Sequence, residues 1–81
     1  MTHLNENEVK VLNAICMDCD DIDGEGFNRL TDMMVTLIED TNMNGNQLGG
    51  YITSLANKNC VIIDAEENEV WVPEEVFARF C

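Results

Sequence analysis

Eighty-one residues make one domain, residues 1–81, near the lower limit for a single hydrophobic core without staples, and exclude a second. Hydrophobic residues are 46% of the chain and charged ones 25%, which excludes disorder despite a formal net charge of −12. Sixteen carboxylates face four basic residues, Lys10, Arg29, Lys58 and Arg79, so most of the surface repels nucleic acid and anionic membrane and favours a basic partner.

No apolar run reaches the length of a bilayer span, and the first ten residues carry neither the basic start nor the apolar stretch of a signal peptide. The expected address is the cytoplasm. Reduced thiols are accordingly expected for Cys16, Cys19, Cys60 and Cys81.

The chain opens on a helix signal: Asn5 can cap, Glu8 stands three residues on to close a capping box, and Leu4 can staple onto Val9. The first helix runs to about Met17, with Val9, Leu12, Ile15, Cys16 and Cys19 on one apolar stripe. Residues 18–26, polar, acidic and glycine-bearing, read as an exposed connection. A second helix begins around Phe27 or Thr31. Its stripe is Phe27, Leu30, Met34, Leu37 and Ile38, and it stops near Thr41 because Asn42 tolerates a left-handed conformation.

Residues 43–48 repeat the start signal: Asn44 caps, Gln47 closes the box and Met43 can staple onto Leu48. The third helix buries Leu48, Tyr51, Ile52 and Leu55 and ends at Lys58, with Asn59 suited to a left-handed exit. Residues 60–64 and 69–72 are β-rich runs around a polar turn, a hairpin pattern. Pro73 opens a last helix, with Glu74 and Glu75 at its positive end and Val76, Phe77 and Phe80 docking it on the core.

The order of three helices, a two-stranded β-hairpin and a short C-terminal helix makes an α+β domain that resembles the winged helix-turn-helix superfamily, over residues 4–72. The resemblance is carried best by residues 37–62, LIEDTNMNGNQLGGYITSLANKNCVI, similar to the family's second helix, turn, recognition helix and first wing strand. It implies that the third helix presents Asn46, Gln47, Gly50, Tyr51, Thr53 and Ser54 outward, the positions that touch base edges in that family. Asn and Gln suit adenine.

Residues 41–59 contain no acidic side chain, yet Lys58 is the only cation on the third helix. The presumed wing carries Asp64, Glu66, Glu67 and Glu69 where a DNA binder needs Arg or Lys. Binding driven by counterion release from about six to ten phosphates does not come from so few basic groups.

Two calcium-loop openings fail at the twelfth position, where Tyr51 and Leu30 stand in place of a bidentate glutamate. Cys16 and Cys19 have the spacing of half a zinc site, but the apolar stripe already accounts for both, so no metal or cofactor is expected. Gly49 and Gly50 inside a helix cost about 1 kcal/mol each against alanine, which leaves two readings: close helix packing, or the near approach of a partner. Trp71 reads as a core or half-buried packing residue; exposed, it is an interface anchor.

His3 has no nucleophile beside it and the carboxylates form no acid and base pair, so catalysis is not expected. The leading expectation is a non-catalytic acidic module that binds a basic or nucleic-acid-binding protein, with DNA mimicry as its sharper form. The alternative is a transcription regulator that reads DNA with the third helix, and a homodimer through that helix is a third reading.

Overall fold

The computed structural model describes residues 3–80. Their order is α1 (Glu6–Asp18), β1 (Asp20–Ile22), β2 (Glu25–Arg29), α2 (Leu30–Thr41), α3 (Gly45–Asn57), β3 (Ile62–Asp64), β4 (Glu69–Val72) and α4 (Glu74–Phe80). The strands form one antiparallel sheet in the order β1-β2-β4-β3. Among the described residues no helix is long and apolar enough to cross a membrane.

Both expected capping boxes are present. The Glu8 N–H donates to the Asn5 side chain at 2.8 Å and the Asn5 N–H to the Glu8 carboxylate at 2.9 Å. At α3 the Gln47 N–H donates to Asn44 at 2.9 Å and the Asn44 N–H to Gln47 Oε1 at 3.1 Å. Each box satisfies donors that the first turn of a helix leaves unpaired. Asn42 and Asn59 take the left-handed backbone expected of them, at φ 58° and 61°, and Pro73 sits one residue before α4, its carbonyl accepting from the Phe77 N–H.

The acidic connection is corrected. Residues 20–29 build a β1–β2 hairpin, closed by the Ile22 and Glu25 pair around Asp23 and Gly24. Both turn residues have positive φ, 53° and 91°, the twist of a type I′ turn, which matches that of the flanking strands. The sheet therefore has four strands, not two.

This moves Phe27 out of the second helix. It lies in β2, and α2 starts only at Leu30. The buried phase of α2 is Met33, Leu37 and Thr41, with Met34 and Leu30 half-buried and Ile38 45% exposed. Thr41 is tolerated inside because its hydroxyl donates to the Leu37 carbonyl at 2.7 Å and accepts from the Met43 N–H at 3.3 Å.

Nothing local caps α2, whose cap position is Arg29 with no side-chain bond. Its free N–H groups are met from the β3–β4 turn instead. Asn68, in left-handed backbone at φ 56°, accepts from the Leu30 N–H on its carbonyl at 3.0 Å and from the Thr31 N–H on Oδ1 at 3.1 Å, while Nδ2 donates to the Thr31 hydroxyl at 3.0 Å. The hairpin is thereby tied to α2. Asn68→Ala is expected to cost about 0.5–2 kcal/mol, as loss of a helix cap does, and a urea melt would measure it.

The core gathers Val11, Leu12 and Ile15 of α1, Met33 and Leu37 of α2, Leu48, Ile52 and Leu55 of α3, and Val70 and Val72 of β4. Val9 of α1 is only half-buried, because the inner face of that helix is turned to include Glu8, Val11 and Ala14. Cys16 is disulfide-bonded, against the expectation of reduced thiols, whereas Cys19 and Cys60 are free. Burial, then the Asp18 and Asp20 carboxylates, push the Cys19 thiol up to about 11. Burial likewise raises Cys60, so neither is a poised nucleophile. Cys81 lies outside the described residues.

Where α1 ends, Asp18 meets Asp40 of α2. Burial and then the Asp40 carboxylate raise the Asp18 pKa above 3.8, and its Oδ2 is buried without a hydrogen-bond partner among the described residues. A negative charge also opposes the negative end of a helix dipole. Asp18→Asn is expected to stabilise the protein at pH 7 by about 0.5–1 kcal/mol by giving Asp40 a donor. The carboxylate's penalty is complete above its raised pKa and disappears as pH falls through that value toward 3.8. The gain from Asn should shrink over the same range. Thermal melts across that range would show it.

Candidate functional site

The outward face of α3 carries Asn46, Gln47, Gly50 and Thr53, all exposed. A Cβ added at Gly45, Gly49 or Gly50 would meet nothing within 4 Å, so close helix packing does not explain these glycines. The face is open and without charge. Gln47 has its side-chain oxygen committed to the Asn44 cap.

Two of the six face residues that the resemblance implies turn toward α1 instead, Tyr51 in keeping with its place on the expected inner stripe of the helix. The Tyr51 hydroxyl accepts from Asn7 Nδ2 at 2.9 Å, and the ring is half-buried against the core. Ser54 donates its hydroxyl to Glu8 Oε2. The partner is a buried carboxylate on the neighbouring helix, which the expectation of an outward Ser54 did not include.

Glu8 organises this junction. It is 1% exposed and carries an ion pair with Lys58, whose Nζ lies 2.7 and 2.8 Å from its two oxygens. The same ammonium donates to the His3 carbonyl at 3.1 Å. The Asn5 N–H, then Lys58, then Ser54 hold the Glu8 pKa down from 4.5 to about 2. The cation at the end of α3, 27% exposed, is therefore paired with a buried carboxylate of its own chain. It is the one ion pair among the described residues.

The expected acidic wing is the β3–β4 hairpin. Asp64, Glu66 and Glu67 are exposed and Glu69 is half-buried. Asp64 accepts the Glu67 N–H at 3.1 Å, and Glu69 accepts the Trp71 indole N–H at 3.3 Å. Because β2 is antiparallel to β4, with Gly26 opposite Val72 and Arg29 opposite Glu69, the two hairpin turns point to opposite ends of the sheet. One end carries Asp21, Asp23 and Glu25, with Glu74 against Gly24; the other carries the wing carboxylates.

The sheet also has an open face. Val70 and Val72 point into the core, so alternation along β4 turns Glu69 and Trp71 the other way. Residues directly opposite one another share a face. Asp20, Phe27, Trp71 and Ile62 therefore form one continuous row across all four strands.

The Phe27 and Trp71 rings stand 4.6 Å apart between centroids and are tilted by 50°. Neither belongs to the core or to the side chains packed against it. Ile62 at the end of the row is 55% exposed and Ile22 on the same face 41%. The charged groups beside the row are the carboxylates of Asp20, Glu25, Glu69 and Asp64 and the guanidinium of Arg29.

Comparison with protein-family models, with curated proteins and with solved structures gave no match. The reading of function therefore rests on geometry and charge.

Sequence reasoning placed Phe27 in a helical core stripe and gave Trp71 no partner. The pair becomes visible only when β2 and β4 are aligned. The available signal was the Asp23-Gly24 turn dipeptide, which places a strand directly after it, with Glu25, Phe27 and Arg29 on one side and Gly26 and Asn28 on the other.

Proposed function

We propose that this chain is a non-catalytic, acidic module of winged-helix type that works by binding a basic, nucleic-acid-handling protein. The winged-helix reading is supported by connectivity: α1, strand β2, α2, a tight turn, α3, then a hairpin whose second strand β4 pairs with β2. The β1–β2 hairpin is an addition to that plan.

The observation that carries the functional reading is the state of Lys58. A reader helix needs cations free to meet phosphates, and the cation that ends α3 is held by buried Glu8 at 2.7 Å. Around it the chain displays acid at both ends of its sheet. The molecule extends 31 Å in its longest dimension, roughly nine base pairs of duplex. Carboxylates at both ends of the sheet can occupy the groove a basic protein offers to DNA, which is the mimic form of the proposal.

A second reading is favoured by one feature, the open, acid-free face of α3 with Asn46, Gly50 and Thr53 exposed. There α3 reads bases while a more basic companion holds the phosphates. Affinity capture from the source cell's lysate, with and without nuclease, separates the two. Retention of a basic nucleic-acid-handling protein after nuclease, released by salt and weakened by replacing Glu66, Glu67 and Glu69 with glutamine, is the outcome expected. Recovery of DNA fragments that nuclease abolishes, and that alanine at Asn46 and Gln47 also abolishes, would support the second reading against the first.

A further inference from the structure

We infer that the open face of the sheet is where the basic partner docks, through an arginine-bearing segment laid across the Phe27, Trp71 and Ile62 row. The inference rests on the acidic-module reading and adds to it the face and the chemistry of the ligand.

An antiparallel sheet with one buried face ordinarily turns polar side chains to water on the other. Here the solvent face holds a phenyl ring and an indole on its two central strands and an isoleucine on the β3 edge, in direct register. None of the three packs on the core. Phe27 and Trp71, half-buried against each other, and the exposed Ile62 make an apolar strip on this face, and large apolar side chains gathered on a surface mark contact sites.

The flanking charges select the occupant. Asp20 lies at one end of the row, Glu25 and Glu69 stand two residues from Phe27 and Trp71 along their own strands, and Asp64 lies opposite Glu69; Arg29, two residues from Phe27 and opposite Glu69, is the one cation among them. A phosphate backbone stacking its bases on these rings would meet four carboxylates against the single guanidinium of Arg29, a net negative surround that repels it. A second copy of this chain would bring the same acid and a further net charge of −12.

A guanidinium fits both halves of the site: its plane stacks on Trp71 or Phe27, and its N–H groups reach the adjacent carboxylates in the paired geometry that arginine makes best. Glu69 already accepts the Trp71 indole N–H at 3.3 Å. That bond sets the carboxylate beside the ring where a stacked cation would meet it.

The test is an NMR titration of the intact protein at low salt with a ten-arginine peptide as probe, followed at the backbone amides and the Trp71 indole N–H. The expected result is saturable shifts centred on Phe27, Trp71 and Ile62. Trp71→Ala should weaken binding about three- to tenfold, within the range of a desolvated cation–π contact. Trp71→Phe should restore part of that loss, and glutamine at Glu66 and Glu67 should change affinity less than Trp71→Ala does. The wild-type shift map does not depend on how the variants fold.

Equal binding by Trp71→Ala, with shifts confined to the β3–β4 turn, would overturn the docking face and leave the basic-partner reading standing. No binding of the peptide at low salt would remove both. Shifts at Trp71 that grow with protein concentration in the absence of peptide would assign the face to a second copy and overturn the inference.

Discussion

Gly26→Ala is expected to destabilise the protein by about 1–3 kcal/mol, the cost of overfilling a packed site. A Cβ at Gly26 would lie 2.7 and 2.8 Å from two ring carbons of Phe77 and 3.1 Å from the Cys19 Cβ. Strand β2 thus passes directly beneath α4, and the missing side chain is what lets Phe77 settle there. Helix α4 is only seven residues long, too short to hold itself in water. Moving its ring outward should loosen the whole helix. A fall in melting temperature of roughly 4–8 °C per kcal/mol is expected for a domain of this size. Phe77→Leu should suppress much of the effect of Gly26→Ala, since the two changes act on one contact and do not add. If Gly26→Ala melts like the wild type, α4 does not dock on β2 as described.

The second large effect concerns Glu8. Glu8→Gln is expected to cause the largest loss of stability of any single charge removal in this chain. One carboxylate there serves the Asn5 cap, Ser54 and Lys58 together. Glutamine keeps one acceptor oxygen but sets an amide donor against the Lys58 ammonium and leaves that charge without its counterion.

The effect has a pH signature with a definite sign. In the unfolded chain Glu8 takes up its proton near 4.5, and in the folded protein only near 2. The stability it contributes is therefore complete above 4.5 and is lost as pH falls from there to about 2. Wild type and Glu8→Gln should differ most at neutral pH and converge across that acid window. Parallel curves from pH 7 to pH 2 would contradict the assignment. Urea denaturation at several pH values gives both curves.

What the sequence made legible was local. Each capping box lies within four residues, so Asn5 with Glu8 and Asn44 with Gln47 could be found without knowing the fold, as could the left-handed exits at Asn42 and Asn59. The β3–β4 hairpin was legible because its two runs are β-branched and flank a polar turn.

The β1–β2 hairpin was not, although Asp23-Gly24 is a strong turn signal. Strand β1 is three residues long and exposed throughout, so it offers no alternation, and its acid reads as loop. Phe27 fell into helical phase with Leu30 and Met34 by coincidence of spacing. Only pairing with Trp71 from the far end of the chain overrides it. The cap that Asn68 places on α2 and the Lys58 grip on Glu8 join residues 37 and 50 positions apart. No local window contains them. Ser54 was misplaced for the same reason: its helical position faces α1, and the buried carboxylate that receives its hydroxyl has no mark in the surrounding sequence.

The proposed function rests on these non-local contacts. Lys58 looks free when α3 is taken alone. In the folded chain Glu8 holds it, and α3 has no second cation of its own.

The measurement that tests this most directly is fluorescence anisotropy of a labelled, sequence-randomised DNA duplex titrated with the protein at low salt. No binding is expected, up to protein concentrations at which a basic DNA-binding domain is saturated. Saturable binding that alanine at Asn46 and Gln47 abolishes would show that α3 reads DNA with Lys58 still paired, and would contradict the account of this chain as an acidic module for a basic partner.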